Sequence, residues 1–191
     1  MANVDRPAGA RPVRYLGGAP YNGAATAYNV DSSNGTAIFV GDFMIREADG
    51  NVAPYTGTGG GSLLGVCIAA GTNAQTYSTP DTPSQRYLAA STAGTVLIAD
   101  DPHVVFEIQE DNVDGTALAA TDAGTNCDVL ATAGSTTTGQ SAHEIDRSTV
   151  NTTTAQLRLI RLVPREDNAY GDFAKWEVII NEQLYRSTTG T

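Results

Sequence analysis

Residues 41–70 read GDFMIREADGNVAPYTGTGGGSLLGVCIAA, three short apolar bursts cut apart by Asp49-Gly50 and then by a glycine run, Gly59 to Gly61. Bursts of this length bounded by turn residues have the pattern of strands rather than helices. Asp-Gly supplies the positive φ that a tight hairpin turn needs. Upstream, TAIFVGDFMIREA reads as one β run, with Gly41 marking a bulge or a close backbone approach. VAPY and LLGVCIAA follow as strands around the flexible TGTGGGS loop. The bursts are expected to be successive strands of one antiparallel meander.

The pattern continues downstream. RYLAAS and GTVLIA read as further strands after a polar stretch holding Pro80 and Pro83. In DPHVVFEIQED, Val104, Phe106 and Ile108 share one face while Val105, Glu107 and Gln109 share the other, the period of a half-buried strand. Residues 110–154 read mostly as loop, with a short helical turn in TALAATDAG and a strand in CDVLATA. A final pair, AQLRLIRLV and AKWEVIINEQLY, closes the chain, with Trp176, Val178 and Ile180 facing the core. No stretch sustains a helical period, and no repeat of fixed length is visible. Charged residues are 17% of the chain, below the globular norm, and Thr and Gly carry much of the polar share, suiting pleated surfaces and tight turns. The fold class is all-β: a small antiparallel β-barrel over 25–100, then a second β-barrel or sandwich module over 101–191, separate from the first or packed with it as one unit.

Residues 1–24 stand apart. Pro7, Pro12 and Pro20 remove ladder donors, which excludes a helix or a central strand. The segment reads as a solvated tail or as an extended arm that orders on a partner. Val13, Tyr15, Leu16 and Tyr21 would be its apolar anchors, and they favour the arm.

The net charge is −10, and ten of the eleven basic residues are arginine, Lys175 being the exception. Phosphate backbones repel such a chain, so nucleic acid is not an expected partner. Arginine without lysine suits bidentate, partly desolvated pairing, although codon bias would look the same. No apolar run approaches the length of a membrane span, and the opening residues lack a signal-peptide core, so the expectation is a soluble protein made in a cytoplasm. Cys67 and Cys127 sit in apolar runs without CxxC spacing and read as reduced, buried small hydrophobes, an oxidised pair being the other reading.

Motifs that would carry chemistry are weak. GSTTTGQS (134–141) has phosphate-loop spacing, but Gln140 stands where the lysine belongs, so it reads as a polar loop. EDNVDG (110–115) lacks the final bidentate glutamate of a calcium loop, Thr121 standing there. It reads as a solvated acidic turn, with Asp111, Asp114 and Asp122 as the alternative ligands of a weak cation. Ser141, His143 and Asp146 are too close in sequence to form a relay, and His103 stands alone at a strand entrance. No catalytic residue, cofactor or metal site is expected.

The string GDFMIREADGNVAPYTGTGGGSLLGVCIAAG resembles the first strand group of tailed-phage head decoration proteins of the phage lambda type. Gly41 to Ile45, Asp49-Gly50, Val52 to Tyr55, Gly59 to Gly61 and Gly65 to Ala69 fill that family's slots in order. MANVDRPAGARPVRYLGGAPY and RLVPREDNAYGDFAKWEVIINEQL are similar to segments of wider phage cement proteins. Residues 101–191 depart from the lambda type in adding a second module. The resemblance implies a β-tulip-like barrel, no enzymatic activity, and assembly as homotrimers on the outer surface of an icosahedral head, with the major capsid protein as partner. It also implies an arm lying on that protein, with Arg6, Arg11, Val13, Arg14, Tyr15, Leu16 and Tyr21 as capsid contacts. A tail-tube or connector subunit and a carbohydrate-binding β-module are the alternative readings. Tyr77, Tyr87 and Tyr170 are too scattered in sequence for the last.

Overall fold

A computed structural model describes residues 3–57, 61–70, 87–112 and 116–186. Asp114, Tyr77, Pro80, Pro83 and two of the three loop glycines, Gly59 and Gly60, lie outside them. Strand makes up 43% of the described residues and helix 4%, about twice the usual strand share, so the protein is all-β. Among the described residues three antiparallel sheets carry the strands.

The first sheet has the order β2-β8-β6-β4-β5. Its members are β2 (Thr26–Val30), β4 (Phe43–Arg46), β5 (Val52–Pro54), β6 (Gly65–Ala69) and β8 (Gly94–Ala99). β4 and β5 form the expected hairpin around Asp49-Gly50, where Gly50 takes φ +90° and Asp49 Oδ1 accepts from Asn51 N at 2.9 Å. The meander expectation fails at the next step, because β6 pairs on the opposite side of β4 from β5. The run TAIFVGDFMIREA is likewise split at Gly41. Its first part, β3 (Ile38–Phe39), leaves to pair with β7 (Tyr87–Leu88) as a separate ribbon.

The second sheet has the order β1-β9-β13-β12-β10-β11. It comprises β1 (Arg11–Tyr15), β9 (Val104–Gln109), β10 (Asn126–Leu130), β11 (Glu144–Asn151), β12 (Leu157–Leu162) and β13 (Lys175–Ile180). β11 falls in the region read as loop. Only Ile145 in it is buried, so its sequence has no apolar alternation to betray a strand. The helical turn in TALAATDAG is a single 3-10 turn at Ala120–Asp122. A parallel bridge between Glu110 and Ile145 brings β11 back beside the end of β9. No closed barrel is detected among the described residues.

One core cluster draws on both halves of the chain. Phe43, Leu63, Val66 and Ala99 pack with Phe106, Ile108, Leu157, Trp176 and Val178. Trp176 is wholly buried on the face it shares with Val178 and Ile180, as expected, and Glu177 on the other face is buried too. Gln183 stitches the halves further, its Nε2 donating to the carbonyls of Leu64 and Asp100, each at 3.0 Å. A second cluster, including Tyr28, Ile38, Met44, Cys67 and Val96, lies within the first sheet's side. Cys67 and Cys127 are free, buried and in different clusters, so no disulfide joins them.

The leading segment is extended but docked on the body. β1 pairs antiparallel with β9, Arg11 opposite Glu107. Pro12 is tolerated because β1 is the sheet's edge strand. The free edge is itself partly covered, since Tyr21 N donates to Val13 O at 3.2 Å. An arm reaching off the body is therefore not the conformation of residues 10–21. A partner would meet them as part of a folded surface.

Candidate functional site

The leading segment is seated where three stretches of backbone meet. Gly9 and Gly41 both take positive φ, and a Cβ added at Gly9 would lie 2.4 Å from the Gly41 carbonyl oxygen and 2.5 Å from the Ser141 Cβ. Ala10 N donates to Gly41 O at 2.9 Å, while Ser141 N donates to Val40 O at 2.9 Å. The polar loop 134–141 thus packs against the β3–β4 link. Gln109, at the end of β9, completes the seat. Its Oε1 accepts from Arg6 N at 3.1 Å, and its Nε2 donates to Asp5 Oδ1 at 3.2 Å and Glu144 Oε1 at 3.0 Å. The face of β9 expected to meet solvent is thereby covered at Gln109, which is buried.

Beside this seat lies a cleft of about 430 Å³ bordered by Arg6, Arg11, Glu107, Gln109, Arg165 and Lys175. Sheet register brings these residues together: Arg11 stands opposite Glu107 across β1 and β9, and Lys175 opposite Gln109 across β9 and β13. Arg165 reaches in from the turn after β12, its Nη1 donating to Glu107 Oε1 at 3.0 Å and its Nε to Asp167 Oδ1 at 3.0 Å. Arg6, Arg11 and Lys175 make no ion pair among the described residues. Four of the eleven basic residues of a chain with net charge −10 therefore border one cleft. Its lining also includes Pro12, Ile68 and Ile108.

The expected contact residues divide. Arg6, Arg11 and Tyr21 border the cleft. Tyr15 and Tyr21 turn toward the body, their rings 5.9 Å apart and packed on the core. Val13 is half-buried, and Leu16 is exposed. Arg14 is engaged inside the chain, its Nη2 2.6 Å from Glu177 Oε2. Arg161 grips the same carboxylate with two bonds, of 3.0 and 2.9 Å. Burial works to raise the Glu177 pKa, but the two guanidiniums outweigh it and hold it below the ordinary range. Arg165 and Lys175 were not foreseen as partners of the leading segment. Strand register joins Lys175 to it and the turn after β12 joins Arg165, and the single local hint was the rarity of basic residues.

The acidic turn at 110–115 is not solvated where it is described. Glu110 and Asp111 are buried. Glu110 Oε2 accepts from Leu118 N at 2.8 Å, and Asp111 Oδ1 accepts from Arg147 N at 3.0 Å, so backbone amides replace water. Burial pushes Glu110 and Glu144 up to about 7 each. Among the described residues no cluster of His, Cys, Asp and Glu could hold a metal ion, and Asp122 accepts from Ala119 N in its own turn.

Ser141 and His143 do meet an aspartate, but it is Asp42 rather than Asp146. His143 Nδ1 accepts from Phe43 N at 3.2 Å, which leaves the proton on Nε2, 3.6 Å from Asp42 Oδ1. Burial lowers His143 to about 4 and raises Asp42 to about 6, so the pair is neutral near pH 5. Ser141 Oγ accepts from His143 N rather than facing the ring. His103 is exposed beside Asp101.

No family model, curated protein or solved structure matches the chain.

Proposed function

We propose that the protein is a virion structural protein, a capsid decoration protein that sits on the outside of an icosahedral phage head and bridges major capsid protein subunits. One observation carries the reading furthest: the leading segment is pinned to the body by the Gly9–Gly41 contact and the Gln109 amide, yet it leaves Val4, Arg6, Arg11 and Leu16 exposed. Apolar and basic groups on a pinned segment of an acidic chain suit docking to a protein surface, because little entropy remains to be lost on binding. The strands that return to one another through the Glu110–Ile145 bridge would form the β-tulip-like plug behind that face. The sequence resemblance supplies the class of partner.

A ligand that binds only the assembled shell stabilises it by RT ln(1 + [L]/Kd) per site. A homotrimer touching several subunits would gain about 100- to 10,000-fold in avidity over one contact. Co-sedimentation of the purified protein with expanded heads, built from the capsid protein of the same genome, tests the reading. Saturable binding at a fixed ratio to capsid subunits is expected, and free protein at every concentration would overturn it.

A further inference from the structure

We infer that the cleft bordered by Arg6, Arg11, Arg165 and Lys175 is a binding site for an extended acidic segment of a partner protein. The inference rests on the docking reading for the identity of the partner alone; the chemistry comes from the cleft. Arg6, Arg11 and Lys175 have no acidic partner among the described residues, and Arg165 shares its charge between Glu107 and Asp167. Cations brought together in this way repel one another, and an entering carboxylate relieves that repulsion.

The spacing favours a chain over a single small anion. Arg11 lies on β1 and Lys175 on β13, with β9 between them, so their strands are about 10 Å apart. They are also offset along the strands, since Arg11 stands opposite Glu107 and Lys175 opposite Gln109. A small ion would meet both only by drawing the two side chains together. A peptide in β conformation carries carboxylates at alternate residues about 6.5–7 Å apart on one face, which allows successive acids to reach cations on different strands. Pro12 and Ile68 offer apolar contact to its stem carbons, and Gln140 adds an exposed amide. A nucleic acid would bring negative charge well beyond the cleft and over a body of net charge −10. A short acidic segment confines its charge to the cleft.

The test uses the full chain and a fluorescein-labelled peptide alternating glutamate and alanine, about ten residues long so that it spans the cleft. Binding is read by anisotropy at low and high salt. Saturable, salt-weakened binding is expected. It should fall about tenfold or more in Arg11→Glu and in Lys175→Glu, and hold in Arg46→Glu, which alters a cation away from the cleft. Circular dichroism of each variant checks that it is folded, and Arg6→Glu, on an exposed side chain, serves if Lys175→Glu is not. Absent binding, an equal loss in Arg46→Glu, displacement by millimolar inorganic phosphate, or tighter binding of a single-stranded oligonucleotide would each overturn the inference. Peptide binding without head binding would leave it standing and remove the decoration reading. Head binding by wild type and Lys175→Glu alike, with no peptide binding, would do the reverse.

Discussion

Gly9 and Gly41 lie backbone to backbone, both at positive φ, with no room for a Cβ between them and Ser141. This contact fixes the leading segment against the link between β3 and β4. It also explains why a proline-containing stretch that cannot join a sheet interior is nevertheless part of the body.

Gly9→Ala should therefore unseat the segment. A clash with backbone atoms that cannot rotate away, added to a strained φ, costs about 1–3 kcal/mol. The urea midpoint should fall, and trypsin should cut after Arg14, the one arginine of the segment not followed by proline, faster than in the wild type. An unchanged midpoint and digestion pattern would show that the contact yields easily.

Arg14 and Arg161 converge on Glu177, whose side chain is 8% exposed. A double-mutant cycle between Arg14→Ala and Glu177→Ala should give a coupling of about 1 kcal/mol, more than an exposed pair. Because the Glu177 pKa is depressed in the fold, this stabilisation is present at neutral pH and is lost only on acidification below the ordinary carboxylate range.

How much of this was legible in sequence depends on the range over which the signal acts. The alternation of Trp176 and Val178 with Glu177 placed the core face of β13, and Asp49-Gly50 placed a hairpin, because both signals are local. Gly41 was marked as a break or close approach, but its partner Gly9 was not, since nothing near either residue names the other. β11 was missed because an edge strand with one buried residue carries no period. The burial of Glu110 and Asp111 was misread because an acidic string does not reveal which backbone amides, here those of Leu118 and Arg147, will bond to it. Of the cleft, Arg6, Arg11 and Tyr21 were named; Lys175 was not, because only the β1-β9-β13 order brings it there, and Arg165 was not, because its turn reaches Glu107 only in the fold.

Two glutamates raised by burial should make stability decline as pH rises from about 4.5 through 7. Glu110 and Glu144 have folded pKa values near 7, above the 4.5 of the free group, so the fold holds protons that the unfolded chain releases. Their contribution is full below about 4.5 and is lost as pH climbs through 7. His143, lowered to about 4, acts in the opposite sense, but only between about 4 and 6.5. From pH 6.5 upward His143 no longer opposes them, and Asp42, raised to about 6, adds the last of its own contribution in the same sense. Tm should fall by about 2–4 °C for each kcal/mol lost. Glu110→Gln keeps an oxygen for Leu118 N and should flatten the slope. An unchanged slope in that variant would place the titration elsewhere.

Trp176 is fully buried with its Nε1 unpaired among the described residues and its ring 5.7 Å from Tyr170. Trp176→Ala should cost about 3–5 kcal/mol. Trp176→Phe should cost clearly less, because it removes an unsatisfied N–H along with the lost volume. Chemical denaturation of both variants gives the comparison, and equal losses would mean that the indole N–H is satisfied in solution.

If the pinned leading segment and its basic cleft are the face that meets a capsid, a density map of expanded heads incubated with the protein will show it. Density is expected on the outer surface, with Arg6, Arg11 and Lys175 turned toward the capsid protein. Density with that face toward solvent, or bare heads at saturating protein, would rule the docking proposal out.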